Sequence, residues 1–314
     1  MLNLTLCDNS RRWLMNYAVL DVFTDRALCG NPLAVVEGAD ALDSPRMQAI
    51  AREFNLSETV FVLAPERGGD VRLRIFTPTQ ELPFAGHPTI GAACWLEQTG
   101  RLRSARGRAT RIEEAVGIVP VRVFVESNGL PYAQLTTAVL PRFAPAIGSA
   151  SRVAALLGLT VDDINAGGDV LRSADCGVPY NLVELTSLDA LARAHLGRTP
   201  DASGEDAGAP QSFYLYHPLP AAADGTALLR ARMLSFDLGV AEDPATGSAA
   251  AALCGHLADR LAERSGTFRW RIIQGVEMGR PSTLDIEADK LDGRITAIRV
   301  GGYAVIVARG QLMI

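Results

Sequence analysis

The 314-residue sequence almost lacks lysine: of its 30 basic residues only Lys290 is lysine. That residue stands in Ala-Asp-Lys-Leu-Asp-Gly, which predicts an exposed turn. Enzymes that work through a Schiff base or through pyridoxal phosphate need a buried lysine, so the sequence argues against both classes. The net charge is −5 and no stretch forms a basic stripe. Nucleic acid is therefore not an expected partner.

Cysteine is also scarce, and the five cysteines form no C-x-x-C pair. An odd number in mostly apolar or glycine-flanked settings predicts reduced thiols and a cytoplasmic protein. No apolar run is long enough to cross a bilayer, so a membrane is not an expected partner. Residues 1–14 lack any pattern and are interpreted as an extension or an over-long start. The cysteines are Cys7, Cys29, Cys94, Cys176 and Cys254.

Several common catalytic motifs are missing. The sequence contains no G-x-G-x-x-G, no G-x-x-x-x-G-K-[ST], no H-E-x-x-H and no G-x-S-x-G. Dinucleotide, P-loop, zinc-protease and serine-hydrolase sites are therefore unsupported. The four histidines are too scattered to suggest a metal site.

What the sequence does contain is one polar loop that occurs twice. Glu242 to Gly247 reads E-x-P-x-x-G, and so does Glu81 to Gly86. Each loop runs into a helix of small apolar residues, predicted over 88–99 and roughly 247–264. Free N–H groups at a helix start, together with the positive end of the helix dipole, favour a bound carboxylate or phosphate.

The flanking segments match as well, which indicates an internal duplication. Arg72–Phe76 corresponds to Arg230–Leu234, and Cys29–Val36 corresponds to Cys176–Val183. A helix that is apolar all round must be surrounded. We therefore predict an α+β fold of two pseudo-symmetric halves, each a curved, mostly antiparallel sheet around a central buried helix. The first half would cover 15–138 plus a C-terminal strand at about 300–314, and the second half 139–299.

These motifs resemble the PhzF-like family of phenazine biosynthesis, within the diaminopimelate-epimerase fold. The resemblance implies an active site in the cleft between the halves, no cofactor and, in many members, a homodimer. In the phenazine enzyme a glutamate of the N-L-S-E-T motif shuttles a proton within a dihydro-hydroxyanthranilate, and that position here is Glu58. The matching segments are Asp21–Thr24, Gly30–Val35, Asn55–Thr59, Pro83–Thr89, Asp243–Ala249 and Gly279–Ser282.

One departure concerns the epimerases and racemases of this fold. They use two opposed cysteines just before the loop glycines, and those positions here are Ala85 and Thr246. Neither side chain can act as a thiolate acid or base. A two-thiol epimerase is thus excluded at the level of the residues.

Each candidate catalytic residue has a functional and an ordinary interpretation. Glu58 is either the acid/base, with a pKa raised by partial burial, or a surface partner of an arginine. His87 either binds the substrate or caps a helix. Asp243 breaks the internal symmetry, since its counterpart is Leu82; it either contacts the substrate or caps a helix.

A second group is predicted to bind the substrate. Its backbone N–H groups and hydroxyls would hold substrate oxygens. The group consists of Ser57, Gly86, Gly247 and Ser248.

Three functions remain open at this point. The first is a cofactor-independent isomerase that moves a proton on a small carboxylate, cyclic amino- or hydroxy-substituted carboxylates being among the candidates. The second is an epimerase or lyase with Glu58 as its single base. The third is a non-catalytic ligand-binding or interaction protein on the same scaffold. The combination of Glu58, His87 and Asp243 favours the first two.

Overall fold

The computed structural model describes residues 14–101, 109–125, 129–145, 148–165, 171–197, 210–237 and 240–314. Of the predicted extension, only residue 14 belongs to these ranges. The helices are α1 (Ser44–Phe54), α2 (Gly86–Gln98), α3 (Ala150–Leu156), α4 (Leu188–Arg193) and α5 (Gly247–Asp259), with a short 3-10 helix at Val161–Asp163.

Strands make up most of the described chain. They are β1 (Leu14–Val22), β2 (Asn31–Glu37), β3 (Glu58–Leu63), β4 (Val71–Phe76), β5 (Glu81–Leu82), β6 (Thr110–Glu114), β7 (Gly117–Val125), β8 (Pro131–Thr136), β9 (Arg142–Pro145), β10 (Arg172–Asp175), β11 (Pro179–Glu184), β12 (Ser212–Leu219), β13 (Ala227–Ser235), β14 (Glu242–Asp243), β15 (Gly266–Gln274), β16 (Ser282–Leu291) and β17 (Arg294–Met313).

The same strand pairing occurs twice along the chain. Strand β2 runs parallel to β3, β3 antiparallel to β4, and β4 is flanked by antiparallel β5 and parallel β6. Strands β11, β12, β13, β14 and β15 repeat this order and these directions. The long strand β17 joins the two groups, because its beginning pairs with β16 and its end pairs with β1. The residue at which one half ends and the other begins stays a prediction.

Helices α2 and α5 follow corresponding strands and are both enclosed. Every residue of α2 from Gly86 to Leu96 is buried, and α5 is buried apart from Ser248, Leu257 and Asp259. Their small, apolar sequences allow strands to pack against all sides of each helix. The two buried helices predicted from the sequence are therefore present.

The predicted end of the second helix and the predicted exposure of Lys290 are both wrong. Helix α5 ends at Asp259, and Lys290 lies on β16 with only 6% of its surface exposed. Its Nζ donates hydrogen bonds to the carbonyl oxygens of Ala258 (2.9 Å) and Leu261 (3.0 Å). These bonds satisfy carbonyl groups that the end of the helix leaves without a partner. Because α5 has 13 residues, this ammonium lies about 20 Å from the helix start.

Two adjacent buried glutamates at the end of β6 have opposite electrostatic environments. Burial raises the pKa of Glu114 to about 8, and the hydrogen bond from Thr89 Oγ1 to Glu114 Oε1 (2.6 Å) only partly opposes this. Burial would also raise the pKa of Glu113, but N–H bonds from residues 66, 67 and 69 lower it below its ordinary value. Glu114 therefore folds as a neutral acid and Glu113 as a carboxylate.

The pH dependence of folding should reflect this contrast. A group whose pKa is higher in the folded than in the unfolded chain makes folding less favourable as pH rises between the two values. We expect Glu114→Gln to gain stability over the wild type from about pH 5 to pH 8, by at most about 1.4 kcal/mol per pH unit. The measurement is urea unfolding of both proteins across that range.

The control is Glu113→Gln, for which the sign reverses. A lowered folded pKa contributes stability above the unfolded pKa and loses it as pH falls through the folded pKa. Glu113→Gln should therefore cost stability at pH 7 and less in acid. A Glu114→Gln difference that does not change with pH would contradict a neutral Glu114.

Candidate active site

The starts of α2 and α5 meet backbone against backbone. A Cβ atom built on Gly86 would lie 3.2 Å from Gly247 Cα, and one built on Gly247 would lie 3.4 Å from Gly86 Cα. The residues before these glycines, Ala85 and Thr246, make no side-chain cap hydrogen bond to their helices. Two helix N-termini with N–H groups free of side-chain caps thus converge, as an anion site requires.

Glu58 stands at the first position of β3, next to this junction, and only 16% of its side chain is exposed. Burial, and secondarily the charge of Asp243, raise its pKa to about 8. Its Oε2 lies 3.3 Å from His87 Nε2, yet neither atom makes a well-oriented hydrogen bond to any described residue. Glu58 is therefore a protonated carboxyl group at neutral pH, beside an unsatisfied ring nitrogen. The ordinary interpretation, a surface ion pair with Arg52 or Arg74, finds no support among the described residues, where Arg74 pairs with Glu81 instead.

His87 is the second residue of α2 and is buried. Burial lowers its pKa to about 3, so the imidazole is neutral and its contact with Glu58 is not an ion pair. The amide nitrogen of Asn31 lies 3.4 Å from His87 Nδ1. An amide NH2 can only donate, so the single ring proton belongs on Nε2, on the side of Glu58.

Asp243 faces the same junction from the other loop. Burial raises its pKa to about 6, and hydrogen bonds from Thr246 and Asn31 limit that rise. Asn31 Nδ2 donates to Asp243 Oδ1 over 2.9 Å, and Thr246 Oγ1 donates to Asp243 Oδ2. Asp243 thus accepts two hydrogen bonds that stabilise its charge, whereas Glu58 accepts no well-oriented hydrogen bond from the described residues, so Asp243 ionises first.

Asn31 was assigned no role from the sequence, although it lies inside the matching segment Gly30–Val35. It is fully buried, and its amide reaches Asp243, the carbonyl of Ala245 (3.1 Å) and His87. One side chain therefore ties the first strand group to the second loop.

The turn before Asn31 is fixed by a clamp from the C-terminal part of the chain. Arg280 donates to the carbonyls of Gly30 (2.8 Å) and Cys29 (2.7 Å) and pairs with Asp21. Gly30 has φ +69°, and a Cβ there would lie 2.3 Å from the carbonyl oxygen of Val22. Only glycine fits that position, and the clamp holds Asn31 at the end of the turn.

The second loop is held by Gln274 at the end of β15. Its amide donates to the backbone oxygen of Asp243 (2.8 Å) and to Thr246 Oγ1 (3.1 Å). Its side-chain oxygen accepts from Tyr214 Oη (2.9 Å). Since every partner is buried, the orientation of the Asp243 carboxylate is built into the fold.

The remaining predicted binding residues lie at the same place or beside it. Ser248 follows Gly247 and is half-buried, and its Oγ lies 2.8 Å from Tyr180 Oη. Ser57 precedes Glu58 and is half-buried. The structure thus brings Glu58, His87, Asp243, Gly86, Gly247 and Ser248 together.

Three buried thiols are separate from this chemistry. Burial raises the pKa of Cys94 and of Cys176 to about 12, and that of Cys254 well above its ordinary value. Cys94 and Cys254 lie inside α2 and α5, as predicted, and pack there. Such thiols remain protonated and are poor nucleophiles or bases.

The arrangement suits a proton transfer next to a bound anion. It combines a carboxyl group with a pKa near neutrality, a neutral imidazole, an oriented carboxylate and two converging helix starts. A pKa near the working pH is what general acid–base catalysis needs, and strongly shifted groups in one cleft are typical of active sites.

Comparisons with known proteins show which family the chain resembles. The family model described as "phenazine biosynthesis-like protein" matches residues 20–310. A trans-2,3-dihydro-3-hydroxyanthranilate isomerase of Pseudomonas fluorescens is 34% identical over 95% of this chain and 99% of its own length. An uncharacterized isomerase of Mesorhizobium japonicum is 39% identical over 95% of this chain and 99% of its own length.

A solved structure gives the same result for the fold. The chain superposes on a PhzF-family phenazine biosynthesis protein of Bacillus anthracis with a TM-score of 0.81 and 26% identity, covering 96% of this chain and 100% of the other. Together with the match over residues 20–310, this likeness shows that the chain belongs to the phenazine biosynthesis-like (PhzF) family.

Proposed function

We propose that this isomerase moves a proton within a small cyclic carboxylate, without a cofactor, and that Glu58 carries the proton. The observation on which the proposal rests is the unpaired, buried Glu58 carboxyl group, whose pKa is raised to about 8 beside a neutral His87. An uncompensated buried acid costs stability, so its presence needs a reason other than folding.

The proposed reaction begins with Glu58 ionised. The carboxylate takes a proton from one carbon of the substrate, leaving an electron pair that spreads into the adjacent π-system. Glu58 then returns a proton to another carbon, so that substrate and product have the same composition. His87 Nε2–H donates to the charged form of Glu58 or to the substrate ring, and the helix starts at Gly86 and Gly247 hold the substrate carboxylate.

The role of Asp243 follows from its charge and its partners. With a pKa of about 6 it is ionised when the pH is near 7, and it can accept hydrogen bonds from substrate amino or hydroxyl groups. The first substrate to test is trans-2,3-dihydro-3-hydroxyanthranilate, which carries a carboxylate, an amine and a hydroxyl and is named for the Pseudomonas fluorescens relative.

A two-base epimerase is less well supported by the strand registers. Glu58 pairs with Leu33 at the start of the β2–β3 register. In the second strand group Phe213 pairs with Asn181, and the residue before Phe213, at the place equivalent to Glu58, is Ser212. The counterpart of His87 is Ser248. Neither serine is an acid or base like Glu58 or His87, although Ser212 Oγ donates to Asp237 Oδ1 (3.1 Å).

The first test is Glu58→Gln with that substrate. Glutamine keeps the shape but cannot take up a proton, so turnover should fall at least about 10²-fold. Binding of a substrate analogue should persist, because the helix starts and Ser248 do not depend on Glu58. The matched control is Glu53→Gln, an exposed glutamate of α1, which should retain full turnover. Undiminished turnover in Glu58→Gln would refute the proposed role.

The second test is the pH profile of kcat/KM, which reports ionisations of the free enzyme. A base must be ionised to act, so kcat/KM should rise roughly tenfold per pH unit and level off near pH 8. Asp243 adds a second loss of activity below about pH 6. The control is Glu114→Gln, which removes the other carboxyl with a pKa of about 8 and should keep the rise. A flat profile between pH 6 and 9 would exclude Glu58 as the base.

A further inference from the structure

Tyr180 lies directly behind the candidate carboxylate site and has no role in the chemistry described so far. It is the second residue of β11, with 2% of its surface exposed, and its Oη lies 2.8 Å from Ser248 Oγ. Among the described residues its hydroxyl has no other hydrogen-bond partner. Ser248, in contrast, is only half-buried and is the second residue of α5.

Only one direction of this hydrogen bond leaves no buried hydroxyl proton without an acceptor. If Ser248 donated to Tyr180, the buried phenol proton would have no acceptor, and an unsatisfied buried donor is costly. If Tyr180 donates to Ser248 Oγ, the phenol is satisfied and the serine proton is free for another acceptor. Burial, together with the charges of Asp243 and Glu58, raises the pKa of Tyr180, so the phenol keeps its proton.

Tyr180 and Ser248 also differ from the residues at the corresponding positions of the first half. Gly30 corresponds to Gly177, and the same offset places Tyr180 opposite Leu33, a fully buried core residue. Likewise Ser248 corresponds to His87. A hydroxyl pair on one side thus replaces a leucine and a histidine on the other, so the two helix starts offer different hydrogen bonds to one ligand.

We propose that Tyr180 is a positioning residue that donates to Ser248 and thereby directs the Ser248 hydroxyl proton at the carboxylate of the substrate. The inference rests on the proposed function, because it takes that substrate to be a cyclic carboxylate. It assigns the carboxylate to the α5 side of the junction and leaves the Glu58–His87 side for the carbons that exchange the proton.

The experiment is a double-mutant cycle on ligand affinity. The probe is anthranilate, which has the carboxylate and amine of the proposed substrate, has no sp³ carbon to lose a proton, and is fluorescent. Its dissociation constant is measured by fluorescence anisotropy for the wild type, Tyr180→Phe, Ser248→Ala and the double variant. Tyr216→Phe is the control, since it removes another buried phenol hydroxyl, one that donates to Glu184.

A positioning role predicts strong coupling between the two residues. Tyr180→Phe should weaken anthranilate binding about 3- to 10-fold, and Ser248→Ala about 10-fold or more, since its bond to a charged carboxylate is the stronger one. In the Ser248→Ala background, Tyr180→Phe should change the affinity less than about twofold, because the hydroxyl on which it acts is gone. Tyr216→Phe should bind like the wild type.

Contrary outcomes are specific to this inference. Additive losses of anthranilate affinity would show that Tyr180 acts only through packing. If the wild type does not bind anthranilate at millimolar concentration, the proposed carboxylate site is refuted. Turnover of trans-2,3-dihydro-3-hydroxyanthranilate is measured separately. If the two substitutions are coupled in their effect on anthranilate affinity but the substrate is not turned over, the positioning role is upheld and the proposed reaction is refuted. If the substrate is turned over but the losses of affinity are additive, the proposed reaction is upheld and the positioning role is refuted.

Discussion

The contact between Gly86 and Gly247 is the constraint on which the rest of the site depends. Two helix starts carry partial positive charge and would not ordinarily be packed against each other. Here the absence of a Cβ on either residue lets the backbones approach to van der Waals contact. His87 and Ser248 follow directly, so the contact also sets how far apart these two side chains lie. Any larger residue would separate the helices and open the site.

Around that contact lie two buried carboxyl groups, and only one of them accepts hydrogen bonds from the described residues around it. Asp243 receives hydrogen bonds from Asn31 and Thr246, and Gln274 holds its backbone. Glu58 receives none from the described residues, so like-charge repulsion and burial act on it unopposed. The result is a pair with pKa values near 6 and 8, in which the proton resides on Glu58. Separated values of this kind assign the charge to one group and the proton to the other.

Much of this was predictable from the sequence, because its signals are local. The repeated E-x-P-x-x-G loops indicated both helix starts, and the small-residue runs after them predicted that both helices would be buried. The N-L-S-E-T segment identified Glu58 through the family resemblance.

The parts that were missed depend on contacts between distant segments. Asn31 reaches Asp243 across 212 positions of sequence, and no local pattern records that. Lys290 was misinterpreted because a charged residue near Asp-Gly suggests a turn, whereas in the fold its ammonium reaches the end of α5. In the sequence Tyr180 is an ordinary strand residue, and only the fold shows that its hydroxyl contacts Ser248. In each case a polar group is buried only because a remote backbone or side chain satisfies it.

The central claim is that Glu58 is a neutral acid in the free enzyme at pH 7, and the most direct measurement is infrared difference spectroscopy. Spectra of the wild type minus Glu58→Gln, recorded from pH 5 to pH 10, isolate the carboxyl band of this one residue. The account predicts a protonated-acid band at pH 7 that converts to the carboxylate band with a midpoint near pH 8. A carboxylate band already complete at pH 6 would contradict it.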